Sequence, residues 1–164
     1  MTNDRFPRFS GMEFIADDAF PIEESTSIQL MPRGSKIIDL VRKTGSNLLL
    51  IEAKSSFPNC NNHESTSAFD EQIEDIVKKF IDSLTLYSAI KVGVTNDVLP
   101  DSLENSDKIK LVLVLVIRGF EREQWCRPVQ KAIMMKLPES MKKLWNPSVQ
   151  VYNYTLAKEY RLVE

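Results

Sequence analysis

The stretch that most constrains the fold is Lys36–Ser55, KIIDLVRKTGSNLLLIEAKS. It reads as two strands, Lys36–Lys43 and Leu48–Lys54, joined by the turn Thr44-Gly45-Ser46-Asn47. Gly and Asn tolerate the left-handed backbone that a tight hairpin needs. If Lys43 pairs with Leu48, opposite residues have numbers that sum to 91, so Asp39 lies across from Glu52 and Ile37 across from Lys54. Side chains directly opposite in an antiparallel pair have Cβ atoms roughly 4.5–5.5 Å apart. Glu52 and Lys54 are two apart and share a face, which Asp39 joins. Two carboxylates and a lysine thus converge amid Ile37, Val41, Leu48 and Leu50. The other face carries Ile38, Leu40, Leu49, Ile51 and Ala53, broken only by Arg42 near the turn.

Charges on an apolar face lose hydration, and like charges across a ladder repel. A divalent cation removes that conflict. Mg²⁺ is commonly held by one or two carboxylates and substrate phosphates, and keeps its remaining waters. A lysine beside it can orient an attacking water and stabilise charge on a phosphate. If the face is instead exposed, the same three residues are ordinary surface charges.

Asp39, a hairpin, then Glu52-Ala53-Lys54 resembles the signature of the PD-(D/E)xK nuclease superfamily, the restriction-endonuclease-like fold. Ile38 stands where that signature often has proline. The resemblance implies a metal held by Asp39, Glu52 and the Ala53 backbone carbonyl, with Lys54 positioning the water. It also implies Mg²⁺ or Mn²⁺ as cofactor and nucleic acid, preferentially DNA, as substrate.

The 164 residues fit one domain, 1–164, long enough for a substantial core. Ser10-Gly11-Met12-Glu13 looks like a capping box opening a helix to about Phe20, before Pro21. By resemblance this is the first core helix, and Glu13 is a candidate acid for the site. A helix cap with solvated acids accounts for Glu13 equally well. Ser25–Met31 reads as a first strand, making three strands in a meander. A polar loop, Ser55–Ser67, follows Lys54 and holds Cys60 and His63 at Cys-x-x-His spacing, a pair without the partners that a zinc site needs. Ala68–Ile90 has the clearest helical spacing of apolar residues. Gln72 on its first turns matches a glutamine that approaches the active site in RecB-like members, although Ile76 replaces the tyrosine expected four residues later. Lys78 and Lys79 on the same helix fit either phosphate contact or a solvated face.

After a connection rich in Asn, Asp and Ser, with room for an extra helical turn, IKLVLVLVIR at Ile109–Arg118 reads as a strand covered on both faces. A right-handed parallel crossover through the long helix would bring it beside Leu48–Lys54. Glu121–Leu137 is helical but interrupted at Pro128, Ser140–Trp145 adds a short turn, and Ser148–Thr155 alternates as a last strand. The expected architecture is α/β: a restriction-endonuclease-like core, αβββαβ with an added helix and strand, whose mixed sheet of about five strands is flanked by helices.

Residues 1–107 carry 10 Lys+Arg against 18 Asp+Glu, while residues 108–164 carry 11 against 5. Arg118 and Arg122 in the basic part are candidate phosphate contacts, or a solvated helix face. A net charge of −2 argues against strong non-specific DNA binding on its own and suggests a homodimer, a larger complex or a metal-dependent grip. No apolar N-terminal run suggests a signal peptide, no segment is long enough to span a bilayer, and two cysteines suit a reducing cytoplasm. The expected activity is metal-dependent hydrolysis of phosphodiester bonds, endo- or exonucleolytic. The alternative is an inactive module of the same fold that binds nucleic acid or assembles within a defence or repair complex.

Overall fold

The computed structural model describes residues 7–15, 17–60, 66–105 and 108–164. A four-stranded mixed sheet forms its centre, in the order β3 (Leu40–Thr44), β4 (Asn47–Lys54), β5 (Lys110–Ile117), β6 (Ser148–Asn153), and a two-stranded sheet of β1 (Arg8–Phe9) and β2 (Met12–Glu13) stands apart. Five α-helices occur among the described residues. The α/β class holds.

The N-terminal expectations do not hold. In place of a helix from Ser10, β1 (Arg8–Phe9) and β2 (Met12–Glu13) form a tight hairpin. Its two turn residues, Ser10 and Gly11, both have left-handed φ values of 50° and 77°, the conformation of a primed hairpin turn. Glu13 therefore pairs across to Arg8 rather than reaching back along a helix. Downstream, Phe14 bridges to Val163 and Phe20 to Val41, so this segment is stitched to both the C-terminus and the sheet.

Ser25–Met31 is not a strand. It holds a 3-10 helix, Thr26–Leu30, just after another at Ile22–Glu24. The Asp97 carboxylate accepts from the backbone N–H groups of Thr26 and Ser27, at 3.3 and 2.9 Å, which removes donors that a strand ladder would need. The main sheet therefore has four strands, and its β3 edge is covered by the single Phe20–Val41 bridge.

β3 (Leu40–Thr44) and β4 (Asn47–Lys54) are antiparallel with Lys43 opposite Leu48 and Leu40 opposite Ile51, the expected register. α1 (Thr66–Lys91) then crosses to β5 (Lys110–Ile117), parallel to β4, after the one-turn α2 (Asp101–Glu104). α3 (Cys126–Lys136) follows a 3-10 turn at Glu123–Trp125. Pro128 does not interrupt α3, because it lies in the first turn, where its missing N–H has no helical partner to lose. α4 (Glu139–Trp145) leads to β6 (Ser148–Asn153), parallel to β5. The last strand ends two residues earlier than expected. Asn153 instead caps α5 (Tyr154–Glu159), accepting from the Leu156 N–H at 2.9 Å.

The sheet separates two cores. Val41, Leu48, Leu50, Leu113 and Leu115 pack beneath α1 and α3. Leu40, Leu49, Ile51, Val114 and Val116 pack against Met12, Phe14 and the C-terminal Leu162. Burial on both sides explains the continuous apolar sequence of β5. No helix among the described residues is long and apolar enough to cross a membrane.

Candidate functional site

Asp39 immediately precedes β3 and Glu52 lies near the end of β4, so the hairpin register carries the two carboxylates to the same level. The Ala53 N–H fixes this placement by donating to Asp39 Oδ2 at 2.8 Å. Glu52 is 1% exposed, and it lies on the sheet face that packs under the helices. Lys54, at the end of the same strand, is partly exposed, with Nζ 3.8 Å from Glu52 Oε1. The structure therefore brings the three residues of the sequence signature together, in a buried setting.

α1 completes the cluster. Lys79 donates to Glu52 Oε1 at 2.6 Å, a true hydrogen-bonded ion pair where Lys54 makes only a longer contact. The same helix face clamps the chain entering β3. Asp82 accepts from the Lys36 N–H at 2.9 Å, Ser83 Oγ from the Ile38 N–H at 2.8 Å, and Asp75 pairs with the Lys36 ammonium. This clamp explains why Ile38 joins the helix-side core although strict alternation would send it to the other face.

A third carboxylate comes from Glu23, in the 3-10 turn at Ile22–Glu24. Its side chain shares a hydrogen bond with Asp39, and its pKa is raised, chiefly by burial and then by that bond. Burial also pushes Asp39 up to about 6, with the charge of Glu52 adding to the effect and the Ala53 N–H opposing it. Glu52 is raised as well: desolvation outweighs the lowering influence of Lys79 and Lys54. Glu52 Oε2 is buried and has no hydrogen-bond partner among the described residues.

These features bear on whether the residues suit a divalent ion. All the donors are hard oxygens, which suit Mg²⁺ or Mn²⁺, and the unpartnered Oε2 is the kind of atom that a cation would satisfy. Among the described residues no three His, Cys, Asp or Glu side chains form a ready metal cluster. The donor set is thus the Asp39–Glu52 pair rather than a closed protein cage. Ala53, expected to lend its carbonyl, has that oxygen accepting from Ser10 Oγ at 3.0 Å.

The other candidates are placed differently. Glu13 is held by Arg8 on the hairpin, and Glu23 is the acid that reaches Asp39. Gln72 is half-buried two turns before Lys79 on α1, and it is Lys79 that touches Glu52. The Arg118 N–H donates to the Lys54 carbonyl at 2.9 Å, but its side chain lies against the β1–β2 turn, where a Cβ at Gly11 would collide with the guanidinium. Arg122 sits 5.8 Å from the ring of its own neighbour Trp125. Cys126 is buried, which pushes its thiol up to about 11, and Cys60 is half-buried; neither forms a disulfide. His63 lies outside the described residues.

The chain leaving Lys54 is anchored by edge-to-face contacts that run from Phe69 to Phe57, Phe120 and Trp125. Gly119 permits this exit, since a Cβ there would stand 2.7 Å from the Ser55 carbonyl. A cavity of about 270 Å³ opens on the opposite side of the sheet, between Leu49, Val112, Gln150 and the stacked Tyr152 and Tyr160. It has no acidic lining residue and is separate from the carboxylates.

Two of the site residues, Lys79 and Ser10, are named in the sequence but for other roles, phosphate contact or a solvated face and a helix cap. Lys79 falls seven residues after Gln72, on a polar strip that otherwise reads as solvated helix. Ser10 precedes a glycine, a signal for a tight turn. Glu23 left no trace, because its approach to Asp39 depends on how the preceding segment folds over the sheet. No family model, curated protein or solved structure matches this chain.

Proposed function

We propose that the protein is a metal-dependent nuclease that hydrolyses phosphodiester bonds, preferentially in DNA, on a restriction-endonuclease-like core. The observation that carries this reading is the buried Asp39–Glu52 pair with Lys54 on the same face of one hairpin. The antiparallel hairpin followed by the β4–α1–β5 parallel crossover supports the fold assignment. Asp39 and Glu52 would hold Mg²⁺ or Mn²⁺, with Glu23 hydrogen-bonded beside Asp39. The bound ion supplies Lewis acidity and charge neutralisation at the phosphate. Lys54, partly open to solvent at the strand end, orients the attacking water and stabilises the charge that develops on the phosphoryl oxygens. The Ala53 N–H holds Asp39 in place through turnover.

A second reading has its own observation. Lys79 already places a positive charge on Glu52, and a site neutralised internally suits an inactive module that only binds or assembles.

The deciding experiment incubates labelled DNA and RNA, single- and double-stranded, with the wild type and Lys54→Met, with and without Mn²⁺. The wild type is expected to cut only with metal, and Lys54→Met to cut about 10²–10³-fold more slowly, the usual cost of one well-placed electrostatic group. Normal cutting by Lys54→Met removes the lysine from the chemistry. Binding without cutting by the wild type favours the second reading.

A further inference from the structure

The two lysines beside Glu52 are not equivalent. Lys54 belongs to the sequence signature, yet its ammonium stands 3.8 Å from Oε1, beyond hydrogen-bond reach. Lys79 reaches the same oxygen at 2.6 Å from a different element, and its side chain is 20% exposed against 2% for Glu52. A carboxylate so deeply buried needs a nearby positive charge to remain ionised. Lys79 supplies it, at the end of a flexible four-carbon stem with a route back to solvent. Glu52 has no such freedom, because it is fixed in a strand paired on both sides.

The arrival of a divalent ion changes the charge balance. Two ionised carboxylates balance one divalent cation. Retaining both ammonium groups would leave two surplus positive charges in a partly desolvated site, where mutual repulsion is strong. Of the two, Lys79 is the one hydrogen-bonded to the carboxylate, at Oε1, so its charge stands nearest an ion bound through Oε2, and it is the group that must yield. We propose that Lys79 is the resident counter-cation of Glu52, surrendered to solvent when a divalent ion binds the carboxylate pair. The proposal rests on the metal-dependent reading and adds to it a built-in competitor that sets metal affinity. Lys79 is in this sense a positioning residue: its 2.6 Å bond to Oε1 holds Glu52 in place while the metal is absent.

The test measures binding in the full chain without relying on turnover. Mg²⁺ and Mn²⁺ are titrated calorimetrically into the wild type, Lys79→Arg and Lys79→Met, and lysine ¹³Cε resonances of the wild type are followed as Mg²⁺ is added. Lys79→Arg assigns the Lys79 signal while keeping a cation at that position. The expected result is a Lys79 resonance that moves on Mg²⁺ binding, with Lys79→Met binding the metal at least about tenfold more tightly, as removal of one close opposing charge requires. Equal or weaker binding by Lys79→Met overturns the exchange while leaving the nuclease reading intact. Binding by Lys79→Met alone, with none by the wild type, also overturns it and makes Lys79 a permanent substitute for metal. If neither binds, the exchange and the metal-dependent reading fall together. Tighter binding by Lys79→Met, with no cleavage by the wild type, leaves the exchange standing and overturns only the nuclease reading. Should Lys79→Met not fold, a Lys79 resonance unmoved at saturating Mg²⁺ in the wild type overturns the proposal.

Discussion

Ile51 and Glu52 are consecutive residues of one strand, 0% and 1% exposed, and they face opposite ways. Ile51 enters a core of aliphatic side chains, with Leu40 and Val114 beside it in the ladder. Glu52 enters an equally deep setting but is met there by Lys79, Asp39 and Glu23. One face of the hairpin is built for stability. The other gives up stability to hold ionisable groups at one point, and the cost appears as carboxyl pKa values raised by burial.

The largest expected effect tests the stabilising face. Ile51→Ala should lower unfolding free energy by about 2–5 kcal/mol, the usual range for truncating a fully buried aliphatic residue. Chemical denaturation with an unchanged m-value checks it. A loss below about 1 kcal/mol would mean that the hairpin packs too loosely on this side for the contrast with Glu52 to hold.

The next tests the costly face through pH. Asp39 has a folded pKa of about 6 against an ordinary value of 3.8. Between those values the folded state binds more protons than the unfolded one, so stability falls as pH rises through the window and stays lower above it. The full penalty at neutral pH is about 3 kcal/mol as an upper figure, from about 1.4 kcal/mol per pKa unit. Asp39→Asn keeps an acceptor for the Ala53 N–H and removes the charge. In metal-free buffer at pH 7 it should melt higher than the wild type, by about 2–4 °C for each kcal/mol regained, and its stability should vary less between about pH 4 and 6. A variant that melts lower would show that the ionised Asp39 is well accommodated.

The smallest effect lies at the edge between the faces. Ser10→Ala deletes the hydroxyl that donates to the Ala53 carbonyl. A loss of about 1 kcal/mol is expected, typical of a single side-chain hydrogen bond. Hydrogen exchange at Met12 and Phe14 should rise more than at Leu50 if the β1–β2 turn is what that bond secures.

The parts of this architecture legible in the sequence are those set by short-range rules. The hairpin register follows from a turn with Gly45 at its centre and from alternation on both sides. α1 follows from its 3.6-residue apolar spacing, and β5 from a β-branched, continuously apolar run that fits a strand covered on both faces. The segment from Arg8 to Leu30 escapes those rules because its structure is decided by distant partners. Ser10-x-x-Glu13 satisfies a helix-capping pattern, but Arg8 and the Ala53 carbonyl claim those two side chains. Ile28 and Leu30 alternate like a strand, yet Leu30 is 74% exposed and Asp97, some seventy residues on, claims the backbone N–H groups of Thr26 and Ser27. For the site the same division holds: Asp39, Glu52 and Lys54 share one hairpin and are visible together, whereas Glu23 and Lys79 meet them only through tertiary packing.

The clamp of α1 on residues 36–38 also orders the assembly of the site in time. The β3–β4 turn can close with local contacts alone, on the microsecond scale of hairpins. The bonds from Asp82 and Ser83 to the strand entering β3 span 46 and 45 residues of chain. Loop closure over such distances must precede those bonds, and they are lost first when the helix lifts away. The carboxylates can therefore be near one another in a chain that is only partly folded, yet Glu52 gains Lys79, and the strand carrying Asp39 gains its anchor, only after α1 has docked. A nascent or partly opened chain would hold the acids without the geometry, so helix docking sets when the site becomes complete.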